Sequence, residues 1–181
     1  MSRLSLPVCC LGLFTTMLLA AEPPREGGHA PDFELKALDG TAVRLSDKVA
    51  AGPTVVVMLR GYPGYQCPVC RRQVGQLAEK AGSFREAGAS VVLVYPGDVP
   101  DLAEKAREFF GSKPLPEGFV AVTDPGYALT NSWGLRWEAE RETAYPSTFV
   151  LGPDRVVKFA RISMSHGGRT SPDEVLAAIT K

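Results

Sequence analysis

Thr54-Val55-Val56-Val57-Met58-Leu59, then Arg60-Gly61-Tyr62-Pro63-Gly64-Tyr65-Gln66, then Cys67-Pro68-Val69-Cys70: this unbroken stretch decides the architecture. Its first six residues are a continuous, largely β-branched apolar run, the pattern of a strand covered on both faces. The Gly and Pro residues that follow mark a loop. Beyond it, Cys67, Cys70, Val74, Leu77, Ala81 and Phe84 recur at steps of three and four, which predicts a helix with one apolar face. Both cysteines therefore fall in the first turn of a helix that leaves a buried strand. Unpaired backbone N–H groups and the positive end of the helix dipole stabilise a thiolate there, and Arg71 and Arg72 add positive charge. Residues three apart share a face, so the two sulphurs come within bridging range with little rearrangement. Pro68 suits a first turn, where its missing N–H costs nothing.

Working outward, Ser90 to Tyr95 is a second buried strand, Pro100 to Phe110 an amphipathic helix and Gly118 to Thr123 a third strand. Asp124-Pro125 opens a short helix carrying Tyr127, Leu129 and Trp133, with Trp133 and Trp137 read as packing residues. Strands at Ser147 to Leu151 and Val156 to Arg161 form a hairpin across the Gly152-Pro153-Asp154-Arg155 turn. A closing helix runs from Ser171 to Ile179, with Ser171 as cap, Pro172 at the first helical position and Glu174 three residues after the cap. Upstream, Phe33-Glu34-Leu35 and the Asp39-Gly40 turn form a hairpin. The order implies an α/β fold, a central mixed β-sheet with helices on both faces, with no internal repeat or linker.

The N-terminal end reads differently. Met1-Ser2-Arg3 is a short positive region, Leu11 to Leu19 an apolar stretch, and Leu19-Ala20-Ala21 a small-residue end, so residues 1–21 read as a secretory signal peptide cleaved after Ala21. The apolar stretch is shorter than the roughly 20 residues a membrane-spanning helix needs. The mature chain is expected to have a mobile, Pro/Gly-rich segment at 22–29 and one domain at 30–181. Cleavage discards Cys9 and Cys10 and leaves only Cys67 and Cys70, in a protein bound for an exported, periplasmic or other extracytoplasmic location. The chain has 181 residues with 20 basic and 20 acidic side chains, which suits one domain and argues against a nucleic-acid partner.

Two exported cysteines can form a structural staple, but a bridge across two intervening residues closes a tiny loop and stabilises little. A closed zinc site needs four ligands, and only His29 and His166 stand beside the pair. Redox chemistry is the expected use.

Ala30-Pro31-Asp32-Phe33, Asp39-Gly40, the strand into Arg60-Gly61-Tyr62-Pro63, Cys67-Pro68-Val69-Cys70-Arg71 and Tyr145-Pro146-Ser147-Thr148-Phe149 together resemble the thioredoxin-like redoxin superfamily, and within it the peroxiredoxin-like (AhpC/TSA) branch. The resemblance covers about residues 27–181 and implies a thioredoxin-like fold. Peroxiredoxins carry a Pro, a Thr or Ser four residues on, and the peroxide-attacking Cys three beyond that. In this register Pro63 leads to Cys70 as the peroxidatic residue, with Cys67 in the place of the Thr. The family's pocket Arg usually comes just before the strand that begins here at Ser147, where this chain has Pro146. That Pro resembles the cis proline of thioredoxins, which predicts a cis bond at Tyr145-Pro146 and leaves Arg60 or Arg161 to replace the cation. Tyr62 and Tyr65 are expected to wall the pocket. Arg169 is read as a surface or dimer contact, which admits a homodimer.

The resemblance implies a thiol-dependent antioxidant oxidoreductase without cofactor. Cys70 attacks a peroxide, becomes a sulfenic acid and is resolved by Cys67 to a disulfide that an external thiol reductant, such as a thioredoxin-like protein, reduces. In a second reading Cys67 attacks a protein disulfide and Cys70 releases it. In a third, His166 joins Cys67 and Cys70 to bind Cu(I), as in copper chaperones of thioredoxin fold.

Overall fold

The computed structural model describes residues 21–180. The proposed signal peptide lies, but for Ala21, outside the described residues. Strand β3 (Thr54–Met58) is buried along its whole length. It pairs in parallel with β4 (Ser90–Gly97), which pairs in parallel with β5 (Phe119–Pro125). On its other side β3 pairs antiparallel with β6 (Ser147–Leu151), and β6 with β7 (Val157–Ile162). The hairpin β1 (Glu34–Ala37) and β2 (Ala42–Arg44) closes the far edge against β5, giving the sheet order β2-β1-β5-β4-β3-β6-β7. The mixed sheet expected from the sequence is thus present.

Alternation along β3 divides the core. Val55, Val57 and Leu59 face one side with Cys70, Leu77, Phe84, Phe109 and Val175. That layer is built from α2 (Pro68–Glu79), α3 (Ala81–Glu86), α4 (Leu102–Phe110) and α6 (Pro172–Ile179). Val56 and Met58 face the other side with Leu45, Val49, Leu129, Trp133 and Phe149, under α1 (Leu45–Ala51) and α5 (Ala128–Ser132). Trp133 is fully buried and meets Phe33 and Phe149 edge-on, which makes it a core residue. Among the described residues no helix is long and apolar enough to cross a membrane.

Two local expectations are corrected and two features are added. The helix predicted to run from Cys67 to Phe84 breaks at Lys80 into α2 and α3. The bend leaves Leu77 and Phe84 on the same core layer, so the apolar stripe survives the break. Helix α1 carries only Leu45 and Val49 as buried anchors, too short a pattern to stand out in the sequence. Asp124 does cap the start of α5, accepting from the N–H groups of Leu129 and Thr130, but β5 continues through Pro125 and the helix begins at Ala128. The segment 22–29 is hydrogen-bonded to β7. Gly27 N–H donates to Val157 O and Val157 N–H to Gly28 O, and Pro24 is buried.

One row of the sheet positions everything that follows. Met58 pairs with Val94 on one side and Ser147 on the other, and Ser147 pairs with Ile162. The loop leaving β3, the loop entering β6 and the loop leaving β7 therefore emerge at the same edge. This is the carboxyl end of the parallel strands, where open α/β sheets place their ligands.

Candidate active site

Cys67 is the N-cap of α2, and its Sγ accepts from Cys70 N–H at 3.3 Å. Pro68 occupies the first helical position, as its missing N–H permits. Both sulphurs are free thiols and buried, Cys67 at 3% exposure and Cys70 at 0%. The surroundings of the pair favour a single thiolate, on Cys67. The Cys67 thiol is pulled down to about 5 by a hydrogen bond from the Cys70 thiol, by Cys70 N–H and by the charges of Arg169 and Arg60, against the opposing effect of burial. Cys70 is pushed up by that same bond and by burial, because a second thiolate cannot form beside the first.

Two further groups touch Cys70 Sγ. The backbone N–H of Arg60 donates to it at 3.5 Å, and Arg169 Nη2 donates to it at 3.5 Å. Arg169 is fixed by two more bonds, Nη1 to Gln73 Oε1 at 3.1 Å and Nε to His166 O at 3.1 Å. The expectation that Arg169 is a surface or dimer contact is therefore corrected. The topology supplies the reason: the β7–α6 loop leaves the sheet on the row from which the cysteine loop leaves β3. The side chain of Arg60 is buried but does not reach the sulphur. It pairs with Glu142, donates to Tyr65 Oη and bonds Arg141 O. Arg161 is half exposed, pairs with Glu174 and belongs to no part of the site.

The remaining expected residues sort by distance from this centre. Tyr62 is half-buried, with its N–H on Pro96 O at 3.0 Å and Lys105 Nζ 5.7 Å from its ring centroid. Pro63 is half-buried in the same loop. Tyr65, exposed at 37%, lies between the guanidinium of Arg60 at 4.8 Å and that of Arg141 at 5.5 Å. Pro146 is buried at the entrance to β6 and trans, because no peptide bond among the described residues is cis. The expected cis proline is thus corrected; Pro146 O accepts from Ser163 N–H, tying the loops that enter β6 and leave β7. His166 bonds Glu142 Oε1 through Nε2 at 2.8 Å and packs on Trp137. Among the described residues no three potential metal ligands are grouped. A groove of about 490 Å³ runs along α2 and the end of α4, but neither cysteine lines it.

A family model described as the AhpC/TSA family matches residues 27–160. The chain belongs to the AhpC/TSA family. Rice (Oryza sativa subsp. japonica) chloroplastic peroxiredoxin Q is 31% identical over 134 residues, which cover 74% of this chain and 57% of that protein. The chain thus spans less than two thirds of that relative. The thiol-disulfide oxidoreductase ResA of Bacillus subtilis is 22% identical over 161 residues, 87% of this chain and 80% of the relative. The crystal structure of peroxidoxin BcpB from Mycobacterium tuberculosis superposes with a TM-score of 0.66 at 24% identity, covering 87% of this chain and 97% of that one, a likeness of fold.

Against the AhpC/TSA pattern, the cation beside the sulphur comes from the β7–α6 loop and not from position 146. Sequence reasoning also passed over Gln73, buried one turn beyond Cys70, and Glu142. The only signal for Glu142 was its nearness to the Tyr145-Pro146 motif, since its buried partner Arg60 lies 82 residues away. Gln66 is a further support: Tyr95 Oη donates to its Oε1 at 2.7 Å and its Nε2 donates to Lys105 O at 3.0 Å, pinning the residue before Cys67 onto β4 and α4.

Proposed function

We propose that this AhpC/TSA protein is a thiol-dependent peroxidase in which Cys70 is the attacking residue and Cys67 the resolving one. The observation that carries the assignment is the convergence of the Arg60 N–H and the Arg169 guanidinium on Cys70 Sγ. Positioned donors of this kind stabilise the charge that passes from sulphur to the leaving oxygen. The Cys70 thiolate attacks one peroxide oxygen, the O–O bond breaks, and the leaving alkoxide or hydroxide takes a proton to give alcohol or water. Cys67 then attacks the Cys70 sulfenic acid, an S–S bond forms and the hydroxyl leaves as water. An external dithiol of thioredoxin type returns two electrons. The thiolate the pair favours at neutral pH is on Cys67, so Cys70 becomes the nucleophile by passing its thiol proton to Cys67 across the hydrogen bond between them. The apolar segment ending at Ala21 supports action outside the cytoplasm.

One observation favours a second reading. Cys67 is the N-cap and holds the low-pH thiolate, which suits attack on a protein disulfide with Cys70 as the resolving thiol. The experiment that separates the two mixes reduced protein with hydrogen peroxide in stopped flow, and in parallel with a disulfide-bonded protein substrate. Peroxidase function requires loss of two thiols and gain of one disulfide per peroxide, much faster than reduction of the protein disulfide. Rapid reduction of the disulfide with sluggish peroxide consumption overturns it.

A further inference from the structure

Glu142 uses its two carboxylate oxygens for two different elements. Oε2 accepts from Arg60 Nε and Oε1 bonds His166 Nε2 at 2.8 Å. Both arms end on the same atom. Arg60 donates its backbone N–H to Cys70 Sγ, and His166 O accepts from Arg169 Nε, whose Nη2 donates to Cys70 Sγ. The ion pair to Arg60 is buried, with side-chain exposures of 2% and 10%. Arg141, immediately before Glu142, adopts φ 60 and gives its carbonyl to Arg60 Nη2 at 2.7 Å. A non-glycine residue in that left-handed conformation is held there by its surroundings, and here the surroundings are this network.

Resting on the peroxidase reading, we propose that Glu142 is the positioning residue of the site: it locks the β3 loop and the β7–α6 loop together so that the Arg60 N–H and the Arg169 guanidinium meet on Cys70 Sγ. Neither loop has a strand partner at that point, and the carboxylate replaces one. The groups facing it are Arg60, with Tyr65 on the same guanidinium, and His166; the groups facing the sulphur are Cys67, Arg60, Arg169 and, from β4, Tyr95.

The sign of an electrostatic effect distinguishes positioning from mere proximity. Glu142 is an anion, so deleting it without moving anything favours a nearby thiolate. If its function is to hold two donors on the sulphur, deleting it disfavours the thiolate instead. The test uses Cys67→Ser protein, in which Cys70 is alone, and follows the pH dependence of its alkylation by iodoacetamide. His166→Ala cuts the exposed arm only, and its midpoint is expected to rise by about one pH unit, the usual size for loss of a neighbouring positive charge. Glu142→Gln keeps an acceptor and a donor in place and is expected to leave the midpoint within a few tenths of a unit, whereas Glu142→Ala raises it beyond His166→Ala. With Arg169→Gln already present, His166→Ala is expected to add nothing, because that arm acts through Arg169. An unchanged or lowered midpoint in His166→Ala overturns the proposal, as does an effect that persists in full without Arg169. Alkylation needs no peroxide, so absence of peroxidase activity in the parent protein sinks the functional reading while this result still decides the positioning one. Should Glu142→Ala not fold, His166→Ala and Glu142→Gln carry the test alone.

Discussion

At the scale of single residues, the site is one sulphur pair and the few groups that decide where its charge rests. Arg169→Gln removes the only guanidinium placed on Cys70 among the described residues, and peroxide oxidation is expected to slow by roughly tenfold to a hundredfold, at or below the low end for losing an oxyanion donor because the contact is long. Stopped-flow fluorescence or thiol counting measures it. The pair also makes stability pH-dependent in the reduced state. Cys67 is depressed to about 5, so its contribution is complete above the ordinary thiol range and declines as pH falls toward about 5. The melting temperature of reduced protein, relative to Cys67→Ser, is therefore expected to fall over that window. Much of this scale was legible in the sequence. Cys-Pro-Val-Cys after a β-branched run specifies thiols in a first helical turn by local rules alone. Arg169 was not legible, because its contact with Cys70 spans 99 residues and nothing local distinguishes it from a surface arginine.

Among elements, the sheet row through Met58, Val94, Ser147 and Ile162 decides which loops meet. The strands were readable from apolar runs and the closing helix from its capping box, in which Ser171 and Glu174 bond each other's backbone N–H as expected. Loop convergence was not readable, since it follows from strand order and register. Gly61 shows how closely the cysteine loop is fitted to β4: at φ 70, a β-carbon there would lie 1.8 Å from Pro96 O. Gly61→Ala is expected to cost about 2 kcal/mol or more, combining left-handed strain with a backbone clash, and to slow Cys70 oxidation as the loop shifts. Urea unfolding and peroxide kinetics on the same preparation check both halves. Glu142→Ala is expected to lower stability by about 3 kcal/mol, because it leaves Arg60 buried without its partner.

For the whole molecule, the N-terminal segment bears on stability and on the proposed export. Its backbone bonds Val157 of β7 through Gly27 and Gly28 and Arg155 in the preceding turn through Ala30, and Glu26 accepts from Ala160 N–H at 3.2 Å. Protein starting at Glu22 is expected to melt at the same temperature as the full chain, whereas protein starting at Ala30 melts several degrees lower, as calorimetry will measure. Mass spectrometry of protein secreted by its own host is expected to find a start near Glu22; soluble protein retaining Met1 in the cytosol argues against export. The Pro- and Gly-rich composition of 22–29 carried no sign of this docking, because most of its bonds are backbone to backbone and the partners lie more than 120 residues away. In this assembled molecule the proposed order of attack turns on which sulphur meets peroxide. Stopped-flow mixing of hydrogen peroxide with reduced Cys67→Ser and Cys70→Ser, with the sulfenic acid trapped by dimedone and located by mass spectrometry, tests it most directly. Rapid adduct formation on Cys70 in Cys67→Ser, with Cys70→Ser inert, is the expected result; reactivity kept in Cys70→Ser and lost in Cys67→Ser contradicts it.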